Sequence, residues 1–270
     1  MVKTVIKKLV RNLGFELKRY KPNLSETARM QQLLAYHKID LVFDIGANIG
    51  QYAMFLREIG YSGRIVSFEP LSSAHAQLQA LSSKDPLWEI APRMAIGDRD
   101  DNITIQISAN SQSSSVLEML ESHVKASPKS AYIDSETVQM CKLDTVAREY
   151  IQNNTTSIFL KIDVQGFEKQ ALEGATQTLS QVKGIQVELS LAPLYRDQLL
   201  FKEMLALVEN LGYEPHAFVP GFTDLETGRL LQMDGIFFKQ GKYVCSVTLM
   251  VEAVAMLLPI ACIKVYKALA

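Results

Sequence analysis

The sequence predicts an α/β fold with a parallel sheet flanked by helices, and three observations favour it. From residue 41 onward, short apolar runs alternate with helical stretches, as in sheets whose strands are joined by crossover helices. A chain of 270 residues can bury one sizeable core. A formal net charge of -1 with 48% hydrophobic residues is ordinary for a globular protein. We divide the chain into an N-terminal region 1–38, a core domain 39–242 and an extension 243–270.

The N-terminal region is predicted to contain a short basic amphipathic helix. Apolar residues recur at helical spacing from Val2 to Leu13, and basic residues fill the positions between them. Such a helix can lie on an anionic membrane surface, or it can dock on the core through its apolar stripe. No long apolar run or cleavage site follows, so we expect no secretory signal.

Seven apolar runs are predicted to form the strands of the core. They cover residues 41–45, 64–68, 88–95, 157–162, 184–189, 214–219 and 233–238. Two further β-like runs, 103–107 and 137–141, flank a serine-rich stretch. We predict that they form a small insertion beside the sheet.

The first predicted strand leads directly into a turn that contains two glycines. Asp44 lies at the strand end, and Gly46, Asn48 and Gly50 follow before a helical run. Glycines allow a ligand to approach the backbone closely. The spacing differs from that of dinucleotide-binding turns, which weakens a nucleotide-dependent oxidoreductase as an alternative. An acid here suits a cationic group better than a phosphate, so these four residues are predicted to bind a cofactor of that kind.

Two more acids follow the second and third predicted strands. Glu69 comes about 20 residues after the glycine turn, where a carboxylate accepts the hydroxyls of a ribose. Asp98 lies in a turn where the base of the same nucleoside is expected. An ordinary turn residue is the alternative for Asp98. Both acids are included in the predicted cofactor site.

Charged residues cluster around the end of the fourth predicted strand. Asp163 lies at the edge where open α/β sheets bind ligands, and it is the first candidate for a general base. Lys161 and Glu168 lie on either side and complete the predicted catalytic group. The alternative is that Asp163 caps the next helix and Lys161 pairs with Glu168. Glu188, inside the fifth strand, is a secondary candidate because an unpaired buried charge is costly.

Taken together, these motifs resemble the FkbM-type methyltransferases. The stretch LKIDVQGFE at 160–168 is the most specific of them, and the similarity covers residues 40–240. The resemblance implies a class I, Rossmann-like methyltransferase core with one of seven strands antiparallel, and S-adenosyl-L-methionine as cofactor. Its ammonium and sulfonium groups would suit Asp44. The other matching stretches are 44–50, 68–70, 95–98, 113–115, 143–145 and 187–189.

The resemblance also implies a reaction, which is O-methylation of a hydroxyl on a sugar, glycolipid or secondary metabolite. Methyl transfer depends mainly on orientation, and Asp163 would accept the proton of the alcohol. The serine loop 113–115 is expected to close over the cofactor or acceptor, with a plain surface loop as the alternative. Many relatives carry Glu where this chain has Gln165, and we assign that position no catalytic role.

Other classes of function fit the sequence less well. A non-catalytic, membrane-docked protein that retains the fold is the alternative, supported by the basic start and the apolar end. The stretch 243–263 has the length of a membrane span, but Glu252 and Pro259 favour a helix packed on the domain or on a partner subunit. We predict a cytoplasmic protein with a small-molecule or glycan acceptor, whose termini are candidates for peripheral membrane contact, and an oligomer remains open.

No metal and no nucleic-acid partner are predicted. The cysteines, Cys141, Cys245 and Cys262, are odd in number and widely spaced, so they indicate neither disulfides nor a zinc site. The histidines are isolated, without metal-ligand spacing. The basic and aromatic pattern of a nucleic-acid surface is absent beyond the N-terminal helix.

Overall fold

The computed structural model describes residues 2–151 and 156–240, with the side chains of residues 2–6 left out. The helices in these ranges are α1 (Val2–Asn12), α2 (Glu26–Tyr36), α3 (Gln51–Glu58), α4 (Ser72–Ser82), α5 (Glu121–Ala126), α6 (Leu143–Val146), α7 (Glu168–Glu173) and α8 (Phe201–Asn210). The strands are β1 (Leu41–Ile45), β2 (Arg64–Phe68), β3 (Trp88–Ile90), β4 (Ala95–Ile96), β5 (Asp101–Ser108), β6 (Tyr132–Cys141), β7 (Ile158–Ile162), β8 (Val182–Ser190), β9 (Tyr213–Pro220) and β10 (Gln232–Lys239).

Seven strands form one sheet in the order β3-β2-β1-β7-β8-β10-β9. The neighbours from β3 to β8 pair in parallel, whereas β10 runs antiparallel to β8. This arrangement confirms the predicted class I, Rossmann-like α/β fold. The strand order reverses between β1 and β7, and open α/β sheets bind ligands at the carboxyl ends of strands beside such a reversal.

The central strands are buried along their whole length. Every residue of β1 and β7 is buried, as expected for parallel strands covered by helices on both faces. One apolar cluster is built around Phe43 and Leu160, and a second around Val42 and Phe159. The alternating side chains of β1 and β7 therefore enter two different layers, which hold the strand ends in fixed positions.

The prediction of one continuous third strand over residues 88–95 is wrong. β3 ends at Ile90, and Ala95–Ile96 forms β4 in a separate sheet. Pro92 lies between the two, and proline has a fixed φ and no backbone N–H to donate to a sheet. The chain leaves the main sheet at this point.

The separate sheet confirms the predicted insertion. Its order is β4-β6-β5, with β5 and β6 antiparallel and β4 and β6 parallel. β5 and β6 each extend several residues beyond the predicted runs. The serine-rich stretch lies in the connection between them, and an isolated bridge from Gln106 to Ser115 fixes it against β5.

The two N-terminal helices differ in how they pack. The predicted basic helix is confirmed as α1. In α2, Ala28, Met30 and Leu34 are buried, and Met30 and Leu34 join the second apolar cluster. Across residues 2–151 and 156–240, no helix has both the length and the apolar character needed to cross a bilayer. The predicted extension 243–270 lies outside the described residues, and the domain boundaries at 38 and 242 stay predictions.

Candidate active site

A cavity of about 620 Å³ opens at the carboxyl ends of the central strands. Small-molecule sites occupy roughly 300–1,000 Å³, so its size suits a cofactor or a substrate. Five of the nine predicted site residues line it, namely Gly46, Asn48, Glu69, Lys161 and Asp163. The cavity lining therefore joins the glycine turn after β1 to the charged residues at the end of β7.

The turn after β1 brings backbone very close to the end of β7. Gly46 has φ +74°, and a Cβ on it would overlap the backbone carbonyl oxygen of Asp163. Asn48 also adopts a left-handed conformation, with φ 47°. Gly50, with φ +91°, precedes α3 and packs against Trp88 rather than lining the cavity. Position 46 thus needs a glycine both for its left-handed conformation and for the close contact with the backbone after β7.

Glu69 follows β2 and holds the same turn with its carboxylate. Its Oε2 accepts a hydrogen bond from the Asn48 backbone N–H at 2.7 Å, and its Oε1 accepts one from Leu71 N–H at 2.9 Å. Burial raises the pKa of Glu69 to about 7, although these two hydrogen bonds oppose the rise. Each carboxylate oxygen keeps a second lone pair for a donor in the cavity.

Asp44 is fully buried behind the cavity wall rather than in it. Lys161 Nζ lies 3.2 Å from Asp44 Oδ1, an ion-pair contact that is not aligned as a hydrogen bond. Asp44 Oδ2 accepts a hydrogen bond from Ser67 Oγ at 3.3 Å, and Ser67 Oγ in turn accepts one from the Trp88 indole at 3.0 Å. Asp44 therefore does not line the cavity itself, and it acts on the site through its ion pair with Lys161, which does.

Lys161 is the cation at the centre of the site. Its ammonium lies 3.5 Å from Asp163 Oδ2 and donates to the backbone carbonyl of Gly46 at 3.2 Å. Burial alone lowers the pKa of Lys161, but the charges of Asp44 and Asp163 raise it above the ordinary value. Lys161 is thus held in its charged form between two carboxylates.

Asp163 is the more accessible of these two carboxylates, with 37% of its side chain exposed. Its Oδ1 accepts a hydrogen bond from Gln165 Nε2 at 2.8 Å. The other end of the Gln165 amide, Oε1, accepts from the Tyr195 hydroxyl at 2.8 Å. This contact orients the amide, so that its donor side faces Asp163. Sequence reasoning assigned Gln165 no catalytic role, and it missed Tyr195, because nothing in the pattern around Tyr195 signals this contact.

Two further acids, Glu188 on β8 and Asp234 on β10, face the same cavity on paired positions of the two strands. Glu188 Oε2 accepts from Gln232 Nε2 at 2.6 Å and from Gln165 Nε2 at 3.3 Å. Burial, followed by repulsion from Asp163, raises the pKa of Glu188 well above its ordinary value. Burial also raises the pKa of Asp234 to about 6. Asp234 was not singled out, although an acid inside an apolar strand was the signal that identified Glu188.

Glu168 lies against the backbone and does not line the cavity. Its Oε1 accepts hydrogen bonds from Val164 N–H at 3.1 Å and Gly166 N–H at 3.0 Å. The alternative paired Lys161 with Glu168 and placed Asp163 at the helix cap, and both parts are wrong. Lys161 pairs with Asp44 and Asp163 instead. The N-cap of α7 is Phe167, and no side chain caps the helix. Glu168 shapes the loop that carries Asp163.

Asp98 is not brought together with the other predicted cofactor residues. It follows β4 in the small sheet, where its carboxylate pairs with Arg99 at 2.9 Å, and it is absent from the cavity lining. The division of the predicted third strand at Pro92 explains the displacement. The alternative, an ordinary turn residue, describes this environment better.

The serine loop lines the cavity and is tied to its neighbours. Ser115 Oγ donates to the Gln165 carbonyl at 2.6 Å, and Ser113 Oγ lies 3.0 Å from Ser130 Oγ. Ser111 Oγ lies 3.2 Å from Asn48 Nδ2, which links the loop to the glycine turn. These contacts are not those of a plain surface loop. Among the described residues, no group of three or more His, Cys, Asp or Glu side chains is arranged to hold a metal.

Comparisons with known proteins agree with this geometry at the level of the family. The family model of the methyltransferase FkbM domain matches residues 44–215, which is more than half of the chain. No curated protein matches the sequence.

Solved structures with a similar backbone are distant in sequence. TehB from Haemophilus influenzae has 12% identity and a TM-score of 0.41 over 78% of this chain and 62% of its own, less than two thirds of its length. A putative S-adenosylmethionine dependent methyltransferase from Listeria monocytogenes has 7% identity and a TM-score of 0.44, covering 80% and 98%. The plantazolicin methyltransferase BamL, in complex with SAH, has 11% identity and a TM-score of 0.44 over 80% of this chain and 85% of its own.

At TM-scores below 0.5, these similarities add nothing to the strand order and the family match. The match begins at Asp44 and extends through the serine loop, the Asp163 loop and β8. It thus includes every element that lines the cavity except β10 and the neighbouring Phe222 loop. The chain therefore belongs to the FkbM family of S-adenosylmethionine-dependent methyltransferases.

Proposed function

We propose that this enzyme transfers the methyl group to a hydroxyl of a sugar, glycolipid or secondary metabolite, with Asp163 as the general base. One observation supports this assignment above all. Asp163 is a partly exposed carboxylate at the end of β7, and Lys161 and Gln165 hold its two oxygens in place within the cavity. A base fixed in this way can accept the proton of an alcohol as the new bond forms.

The residues on the glycine turn fit the cofactor. Gly46 and Asn48 line the cavity on this turn, and Glu69 presents carboxylate oxygens to which both hydroxyls of a ribose can donate. We assign Gly46, Asn48 and Glu69 to this role. Asp44 and Gly50 support the turn from behind, through Lys161 and through the packing on Trp88.

The bound cofactor supplies a methyl group that is already activated by the sulfonium. The chain's own residues then have three tasks, which are to orient the acceptor, to exclude water and to take one proton. Orientation of two reactants accounts for about 7–11 kcal/mol in favourable cases. A carboxylate with the position of Asp163 adds about 10² to 10⁴ in rate.

Glutamine and carboxylate side chains surround the part of the cavity next to Asp163. Gln186 Oε1 accepts from the Tyr52 hydroxyl at 2.9 Å, and Gln232 donates to Glu188. Planar groups with several donors and acceptors suit an acceptor that carries many hydroxyls. This lining supports a sugar-bearing acceptor over an apolar one.

Asp163→Asn is expected to lower turnover at least 10²-fold and to leave the affinity for S-adenosylhomocysteine within about twofold. The amide keeps the shape of the side chain but cannot take the proton. We would assay the wild-type protein on a panel of sugars, glycolipids and hydroxylated metabolites with methyl-labelled cofactor. The variant and its control are then measured on the best acceptor. Asp98→Asn is the matched control, because Asp98 lies outside the cavity lining. Unchanged turnover in Asp163→Asn would remove it as the base.

The affinity for S-adenosylhomocysteine is expected to fall as the pH drops below about 7, the pKa to which burial raises Glu69. Protonation removes the negative charge and turns one acceptor site into an O–H donor, so binding weakens by up to tenfold per pH unit. Calorimetric titrations on both sides of pH 7 measure this. Glu69→Gln should bind weakly and without that dependence, whereas Glu58→Gln, at an exposed position, should retain it. The same slope in Glu69→Gln would contradict the assignment.

A further inference from the structure

Residues 7–24 form a basic apolar segment that is exposed along most of its length in the part of the chain that the structure describes. Every residue in it is exposed except Val10, which is half-buried. Six of its large apolar side chains are between 49 and 69% exposed, namely Leu9, Leu13, Phe15, Leu17, Tyr20 and Leu24. Leu9 in α1 and Leu13 just after it are therefore not docked on the described core. Exposed apolar side chains grouped in this way are typical of an interaction surface.

The same segment concentrates positive charge. Six basic side chains lie among the apolar ones, and Glu16 is the single acid, paired with Arg11 and Lys18 at 3.5 Å each. Residues 1–24 carry seven basic and one acidic side chain, and the whole chain has a formal net charge of -1. The residues after Leu24 therefore carry a formal charge of -7, so the excess of positive charge lies within the first 24 residues.

We propose that the basic apolar segment docks onto an anionic lipid surface. A polyanion in water would neutralise the lysines and arginines but leave Phe15 and the leucines exposed. An apolar protein surface would cover the leucines but leave the charges unpaired. The interface of a bilayer with acidic headgroups accommodates both kinds of side chain. Apolar side chains enter the acyl boundary, while basic side chains stay among the headgroups.

Tryptophan fluorescence tests this docking. The chain has one tryptophan, Trp88, which is buried. In the full chain, Phe15→Trp adds a second, exposed indole within the segment. Its emission is expected to shift to the blue on vesicles of phosphatidylcholine mixed with phosphatidylglycerol, and to stay unchanged on phosphatidylcholine alone. Leu225→Trp is the matched control, since Leu225 is 92% exposed outside the segment and should show no shift.

Flotation with the same vesicles tests the charge. Replacing Lys18, Arg19 and Lys21 together by Gln should weaken binding to anionic vesicles at least tenfold. Replacing Lys84, Lys169 and Lys202, which are exposed elsewhere, should have little effect. Failure of the wild-type protein to float with anionic vesicles would overturn the proposal. So would flotation with an unchanged Phe15→Trp emission, because contact would then lie in another part of the chain. Neither readout depends on methyl transfer.

Discussion

Gly46→Ala is expected to destabilise the protein by about 2–5 kcal/mol and to abolish measurable binding of S-adenosylhomocysteine. Two costs add at this position. A left-handed conformation is strained for any residue with a Cβ, and here the new atom would overlap the backbone carbonyl oxygen of Asp163. Backbone on both sides of the contact must move, and with it the end of β7. Urea unfolding and calorimetric titration measure the two effects.

Gly228→Ala separates these costs. Gly228 has φ +73°, almost the value at Gly46, but a Cβ there would meet no atom within 4 Å. It should therefore lose only about 1–2 kcal/mol, the conformational part, and keep its cofactor affinity. If both variants lost the same stability and Gly46→Ala still bound, the close approach of β1 and β7 would have no energetic importance.

Lys161→Met is expected to cost about 3–5 kcal/mol of stability at neutral pH, because it leaves the charge of Asp44 buried and unpaired. The deficit should shrink in acid. Without Lys161, burial raises the pKa of Asp44 further above that of the unfolded chain, so the stability deficit of the variant is smallest below about pH 4 and grows as the pH rises. Chemical unfolding at a series of pH values measures this slope.

A second substitution and an external control identify the cause. Asp44→Asn combined with Lys161→Met removes both charges, and it should recover part of the stability lost in Lys161→Met alone. Lys169→Met changes an exposed lysine that pairs with Glu173, and it should alter stability by less than about 0.5 kcal/mol. A double variant as unstable as the single one would show that packing, rather than charge, explains the loss.

Most of the fold follows from patterns that are local in the sequence. The apolar runs of β1, β2 and β7 predicted buried parallel strands because such strands are covered on both faces. The prediction of one strand over 88–95 was wrong because the apolar residues of this run belong to two different sheets. Pro92 was the one sequence signal for the break between them. Apolar character predicts burial, and it does not show which sheet buries a residue.

The site was predictable where chemistry depends on position along a strand. Glu69 and Asp163 were expected at strand ends, and both line the cavity. Partners from distant parts of the chain were not predictable. Gln165 and Tyr195 meet across 30 residues, and Lys161 meets Asp44 across neighbouring strands. The alternative drawn from the sequence had paired Lys161 with Glu168 in the next helix. The order of the strands in the sheet determines which of these residues are neighbours. That order cannot be read directly from a single sequence.

The hydrogen bonds behind Asp44 connect the site to the protein's own fluorescence. The indole of Trp88, the single tryptophan, donates to Ser67, and Ser67 donates to the carboxylate that faces Lys161. The emission of the native protein therefore comes from one buried indole that lies two hydrogen bonds from the central ion pair. An indole's emission responds to nearby charge, so a change in the charge or position of Lys161 is expected to alter it. The enzyme thus contains an intrinsic optical reporter that needs no label.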